Sequence, residues 1–355
     1  MTIMWINLSL VYVLSFFSRY FSISVPTMPN FIRPNRLLVL SVIVILVTVS
    51  GLRNNIGDTF SYMFSYKSNN FTFSDIDYSG DFGFNILQLL LQKISKDPQI
   101  LILVTAAITN LLIVIILSKY SRIVELSIYV YITSDMFTTS MNGIRQYLAA
   151  AITFTATKYL LNGDFRRYAI IIILASTIHK SALVLLPIYF IVRREAWTKT
   201  TLFLLSFSIV IVLGFNEFSD LLFKALEDTQ YGHYSTFDGG GANKIRIFVT
   251  AAPVIIAFFG KQKLRELWPK SDYIVNMSIV STVFITIASQ NWIFARFNIY
   301  FGLYNLILIS WIILLFKESN RKLIYYIILI CYLIYFYYEH VISYGFIYKS
   351  DYINI

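Results

Sequence analysis

"STIHKSALVLLP", residues 176–187, lies in the middle of an apolar run that starts at Tyr168 and ends at Val192, just ahead of Arg193 and Arg194. The run is long enough for one membrane-crossing helix, yet its centre carries His179, Lys180 and Ser181. A cation at the bilayer centre costs roughly 2.5–3.5 kcal/mol on insertion scales. Either the run crosses once and bears that cost, or it breaks at His179 into two short passes, 168–178 and 181–192. The choice decides the fold, because every basic loop after Val192 changes side with it.

The rest of the chain reads as membrane protein. Of its 355 residues, 57% are hydrophobic and only 14% are charged, too few to cover a water-exposed surface. Apolar stretches recur at 4–24, 37–52, 99–118, 123–139, 144–161, 201–215, 245–260, 273–289, 293–316 and 323–339. With the two passes at 168–192 they make about 12 membrane segments. The expected fold is therefore all-α, a polytopic integral membrane helix bundle. Residues 1–355 form a single transmembrane domain with outer loops at 53–98 and 216–244. The first loop contains an amphipathic piece, "FNILQLLLQKI", and the second a flexible "FDGGGANK". The first apolar stretch lacks a basic leading region and a small-residue cleavage site, so it reads as a retained helix. Cys331, the one cysteine, has no partner for an internal disulfide, and no Cys/His spacing suggests a metal site.

Lysine and arginine mark cytoplasmic loops. Arg33 and Arg36 follow the first span, which puts the amino terminus outside. With two passes at 168–192, the inner side collects 18 Lys/Arg against 6 Asp/Glu, and the outer side 11 against 13. A single crossing would instead expose Arg193, Arg194, Lys199 and the cluster Lys261, Lys263, Arg265, Lys270 on the outer side. The net charge of +10 is thus a topology signal, with the lipid bilayer as partner and no nucleic acid. Irregular backbone at membrane depth needs protein or a wet cavity around it. The break at His179 is therefore expected to line a cavity open to the outside.

Five cations sit near the outer ends of spans: Arg53, Arg145, Lys180, Arg246 and Arg296. A guanidinium holds phosphate oxygens bidentately and keeps its proton. Converging at one depth, these side chains would suit a lipid-linked diphosphate. Each alone could equally be an interfacial anchor or an ion pair. That second use is weaker for Arg145 and Arg296, which lack an acidic neighbour within four residues, than for Arg53, which has Asp58 nearby. His179 is a reasonable general base, with Asp58, Asp81 and Asp135 as alternatives. His233 reads as an ordinary loop residue and His340, beside Glu339, as interfacial. Neither a P-loop, nor a dinucleotide-binding glycine pattern, nor a Gly-x-Ser-x-Gly elbow occurs, and no cofactor is expected.

Four segments carry a family resemblance: "GLRNNIGDTFSYMFSY", "DFGFNILQLLLQKIS", "GIRQYLAAAITFTATKYLLNGDFRRYAIIIILASTIHKSALVLLPIYFI" and "ARFNIYFGLYNLILI". Together they resemble the EpsG family of Wzy-like polysaccharide polymerases, from about Gly51 to Ile309. The most specific part is Arg145-Gln146 followed by His179-Lys180-Ser181. The resemblance implies a GT-C-like, metal-independent glycosyltransferase in the bacterial plasma (inner) membrane, multi-pass, making an O-antigen, exopolysaccharide or capsule. It would join polyprenyl-diphosphate-linked (undecaprenyl diphosphate) oligosaccharides on the outer face, with His179, Arg145 and Arg296 as catalytic residues. Flippase and chain-length regulator proteins would be its partners. An O-antigen ligase or membrane O-acyltransferase is a second reading, although a ligase typically carries a larger outer loop. A transporter or flippase of lipid-linked sugars is a third, and would show paired broken helices where only one break is evident.

Overall fold

The computed structural model describes all residues except 26–27, 77, 79, 226–239 and 354–355. His233 and the middle of the loop at 216–244 therefore lie outside the described residues. The chain opens with α1 (Thr2–Tyr20), a hairpin of β1 (Ile23–Val25) and β2 (Met28–Arg33), and α2 (Arg36–Gly51). It continues with α3 (Thr59–Ser68), α4 (Phe82–Gln92), α5 (Gln99–Tyr120), α6 (Val124–Thr133), α7 (Met136–Asn142), α8 (Ile144–Thr155) and α9 (Thr157–Asn162). Next come α10 (Phe165–Ile178), α11 (Leu185–Val192), α12 (Lys199–Leu213) and α13 (Phe215–Ala225). The last are α14 (Lys244–Phe259), α15 (Lys261–Leu267), α16 (Ser271–Ile287), α17 (Ala295–Ile312) and α18 (Glu318–Tyr337).

Helix starts follow local chemistry. Asn35, Asp164 and Asn243 accept backbone N–H bonds at the heads of α2, α10 and α14, meeting donors that a helix cannot satisfy internally. α17 is buried on all sides from Tyr300 to Ile312, a stretch that is mostly apolar, as such a helix segment must be. Its fully buried Trp311 donates Nε1–H to the Tyr120 carbonyl at 2.8 Å, so the indole's one polar atom is met. By contrast, Leu202, Phe203 and Val210 on α12, Phe248 and Phe259 on α14 and Leu323 and Ile334 on α18 are exposed. So much outward apolar surface suits lipid tails and not water.

The helices run between two ends of the bundle. One end joins Arg19 to Glu125 at 2.6 Å, Asn30 to the Leu267 carbonyl, Arg265 to the Ala196 carbonyl, and Lys270 to Asn162. The other joins Asn54 to Lys349, Asp81 to His179, Arg246 to Glu339 and Gln146 to the Arg296 carbonyl. The basic loops at 19–36, 158–167, 193–199 and 261–270 gather at the first end.

The run at 168–192 folds back on itself. α10 ends at His179, whose backbone is extended (φ −154°, ψ 114°), and a short 3₁₀ turn at Lys180–Val184 leads into α11. The head of α10 packs on the tail of α11. Phe165 touches Tyr189 and Phe190, and the Tyr168 hydroxyl donates to the Leu185 carbonyl at 3.2 Å. Arg193 therefore returns to the turn at Gly163, where its guanidinium occupies the space a Cβ would need. Pro187 falls in the first turn of α11, where a missing N–H costs nothing.

Other expected spans are less regular. The stretch 123–139 splits at Ser134 and Asp135, the latter left-handed at φ 70°, and 144–161 splits at Ala156. Among the described residues, four helices are long and apolar enough to cross a membrane alone: Thr2–Tyr20, Gln99–Tyr120, Trp292–Leu315 and Glu318–Ser343. A fifth counts if α14 and α15, bent by 83°, form one span. A few long helices are thus surrounded by shorter, broken ones, and an all-α bundle with four to five such spans is what the described residues show. The amphipathic piece in the loop at 53–98 is helical. The loop holds α3 and α4, and α4 lies against α10.

Candidate functional site

The turn at His179 is where distant segments meet. Asp81 stands just ahead of α4, and α4 packing on α10 brings it to His179, 98 residues away in sequence. His179 Nδ1 lies 2.9 Å from Asp81 Oδ2, and the Lys180 backbone N–H donates to Asp81 Oδ1 at 3.0 Å. Arg145, the second residue of α8, reaches the same Asp81 Oδ2 at 3.4 Å. It also faces the Tyr62 hydroxyl at 3.4 Å and lies over the rings of Tyr62 and Phe84. Burial alone would raise the Asp81 carboxyl. The hydrogen bond and charge of His179, the Lys180 N–H and the Arg145 charge together outweigh it and hold Asp81 below its ordinary value. Arg145 keeps 43% of its side-chain surface exposed, so it can still meet a ligand.

The neighbouring residues tie a second layer to this turn. Gln146 Nε2 donates to the Arg296 carbonyl at 2.8 Å and faces Ser181 Oγ at 3.4 Å. Ser181 Oγ and the Tyr300 hydroxyl share a hydrogen at 2.8 Å. Arg296 lies over the Trp292 ring. Gln146 and Ser181, the partners of Arg145 and His179 in the short motifs, thus clamp α8, the turn and α17 together.

Beyond Arg296 opens a cavity of about 400 Å³, lined among others by Asp135, Tyr147, Arg246, Trp292 and Asn305. Arg246, also in the lining, is taken by two carboxylates, Glu339 at 2.8 Å and Asp135 at 3.2 Å, and bonds the Tyr344 hydroxyl.

The five expected cations therefore do not share one cluster. Arg145, Lys180 and Arg296 gather around the turn. Arg246 belongs instead to the group it forms with Asp135 and Glu339. Arg53 is buried, and its donors go to the Ser50 and Met141 carbonyls and to Thr59 Oγ1. It serves as an interior brace with no open face, and no ion pair among the described residues joins it to Asp58. Of the carboxylates, Asp81 bonds His179, Asp135 is buried beside Arg246, and Asp58 is exposed ahead of α3. His340 is not interfacial but fully buried, between Thr138 and the Phe336 carbonyl. Sequence reasoning passed over Tyr62, Tyr300 and Glu339. Their partners lie 83, 119 and 93 residues away, and no local signal marks them.

Among known proteins, no curated sequence and no solved structure matches this chain. One family model does, over residues 36–352, a stretch that holds every side chain of the turn and of the cavity, and by that match the chain belongs to the EpsG family.

Proposed function

We propose that the chain is a membrane polymerase that lengthens a surface polysaccharide by joining polyprenyl-diphosphate-linked oligosaccharide repeats. Family membership supports a Wzy-like, glycosyltransferase-like polymerase. The observation that carries the residue-level reading is the His179–Asp81–Arg145 constellation, assembled from three remote segments.

In this reading His179 is the base. A carboxylate only accepts, so Nδ1–H donates to Asp81, and that tautomer leaves the Nε2 lone pair for an incoming proton. Asp81 itself has both oxygens engaged and acts as a positioning residue. A hydroxyl on the non-reducing end of one repeat attacks the anomeric carbon of the donor glycan. Its oxygen forms the new bond to carbon, its proton passes to His179 Nε2, and the bond from that carbon to the phosphate oxygen breaks. The diphosphate leaves with the electron pair, and Arg145 and Arg296 stabilise the growing charge, with Lys180 adding to the local field. The group transferred is already activated by its diphosphate, so ATP has no place in the step.

The two ends of the bundle support an orientation with the turn outside and the basic loops in the cytoplasm. The amino terminus would then be outside, in the bacterial plasma (inner) membrane, with a GT-C-like arrangement and with flippase and chain-length regulator proteins as neighbours. Proteoliposomes given a synthetic polyprenyl-diphosphate-linked repeat as sole substrate test the activity. A polymerase yields a ladder of lengthened lipid-linked products. A ligase yields none until a second acceptor is added, and a transporter moves the lipid without lengthening it.

A further inference from the structure

Gly83 has no reason within its own helix to be a glycine. It is the second residue of α4 and is not among the glycines with left-handed backbone. Alanine at such a position favours the helix. The reason lies across the interface with α10. A Cβ at position 83 would overlap Thr177 Oγ1, and would stand 2.9 Å from Thr177 Cβ and 3.0 Å from the Thr177 carbonyl carbon. Apolar carbons pack at about 3.5–4.0 Å. Turning the Thr177 side chain gives no relief, because Cβ and the carbonyl carbon move only with the backbone of α10. The Thr177 hydroxyl is moreover committed to the Leu174 carbonyl, at 2.8 Å. Room for a side chain at 83 therefore needs α4 and α10 to part, by roughly 0.5–1 Å.

That contact lies one step from the proposed base. The two segments pass in opposite directions: Gly83 meets Thr177, and Asp81, two residues before Gly83, meets His179, two residues after Thr177. Asp81 also accepts the Lys180 N–H at 3.0 Å. Just beyond Gly83, Phe84 is buried with Arg145 over its ring. The head of α4 thus brings a carboxylate to the turn and a ring to Arg145, with Gly83 between them as the point of closest approach. The His179–Asp81 bond is 2.9 Å long. Hydrogen bonds of this kind span about 2.7–3.2 Å, so a parting of the size a Cβ demands takes the pair out of range.

We infer that Gly83 is a positioning residue of the proposed reaction: its missing side chain lets α4 close on the end of α10 and so sets the distance from Asp81 to His179. The inference rests on the reading of His179 as base, and extends it to the packing that orients that base. Gly83 acts through Asp81 alone. A side chain at 83 draws the carboxylate away, and the hydrogen on His179 Nδ1 loses the acceptor that fixes the tautomer.

The test compares Gly83→Ala, Asp81→Asn and the two combined in the full-length protein. The readouts are the rate with a synthetic polyprenyl-diphosphate-linked repeat and the melting temperature in detergent at neutral pH. A misplacement of this size is expected to lower the rate of Gly83→Ala by about 10–10²-fold. Changes that act through one contact do not add. The combined variant should therefore be no slower than Asp81→Asn alone. The fall in melting temperature that Asp81→Asn causes should shrink to about half or less in the Gly83→Ala background. Gly83→Ala/Thr177→Gly removes the Thr177 oxygen and Cβ, and should regain most of the rate and of that fall. It carries the test if Gly83→Ala alone does not fold. Three results would overturn the inference: a Gly83→Ala protein with wild-type rate and the full fall, losses that multiply in the combined variant, or a folded Gly83→Ala/Thr177→Gly protein that regains neither. If the wild type builds no ladder and the fall still shrinks in Gly83→Ala, the polymerase reading is lost and the positioning role stands. A wild-type ladder with an undiminished fall does the opposite.

Discussion

His179 is the residue on which the proposed chemistry turns, and its setting shows what a sequence can and cannot carry. That a histidine sits at a polar break in an apolar run was legible from residues 168–192 alone. Its hydrogen bond to Asp81 was not, because nothing local ties two residues 98 apart. For the same reason Arg246 and Arg53 read as diphosphate-binding candidates, although Asp135 and Glu339 pair with the first and backbone carbonyls take donors of the second. The Asp81 role gives a signed expectation. Its carboxyl is held below the ordinary value, so the stability it contributes is fully present above the unfolded value of about 3.9 and is lost as pH falls through the lower folded value. The melting-temperature gap between wild type and Asp81→Asn in detergent should persist without narrowing from about pH 8 to 5 and close only below about pH 4. A gap that closes between pH 7 and 5 would mean that another group carries it. Arg145→Lys tests the guanidinium in its turn. Lysine keeps the charge but not the planar fork, and loss of one such stabilising group typically costs about 10²–10³ in rate. Steady-state product formation at saturating lipid-linked repeat measures it.

At the scale of the element, the hairpin of α10 and α11 is the feature that gives the turn its place. It was readable because a cationic centre and the sorting of basic loops both argue for a break, and the packing of Phe165 on Phe190 shows the chain turned back. The break at Asp135 was not readable. A left-handed aspartate between two helical segments carries no propensity signal comparable to that of glycine. Nor did the loop at 53–98 declare that its amphipathic piece would pack on α10 and deliver a carboxylate. Two measurements belong here. Gly163 sits at φ 81° with Arg193 against it, so Gly163→Ala should destabilise the detergent-solubilised protein by about 1–2 kcal/mol or more, read as a lowered melting temperature. Single cysteines at Lys180 and Arg193, in a Cys331→Ala background, should respond oppositely to an impermeant thiol reagent added outside the cell. Labelling at 180 and not at 193 is expected, and equal labelling at both would refute the hairpin's orientation in the membrane.

For the whole molecule, the division of charge and of chemistry between the two ends is the organising fact. The composition made an all-α membrane bundle legible at once. The breaks were legible only in part: the one at His179 was expected, the one at Ser134–Asp135 was not. The architecture brings His179, Asp81, Arg145, Lys180 and Arg296 together at one end, next to a cavity whose lining includes the Arg246–Asp135 pair. The account's central claim is that this end polymerises lipid-linked repeats with His179 as base. The most direct measurement compares wild type and His179→Gln in proteoliposomes supplied with a synthetic polyprenyl-diphosphate-linked repeat, resolving product length with time. The account predicts a ladder from the wild type and a rate lower by roughly 10²–10⁴ from the variant, the usual worth of general acid–base catalysis. A His179→Gln protein that builds the ladder at a tenth of the wild-type rate or faster would contradict it.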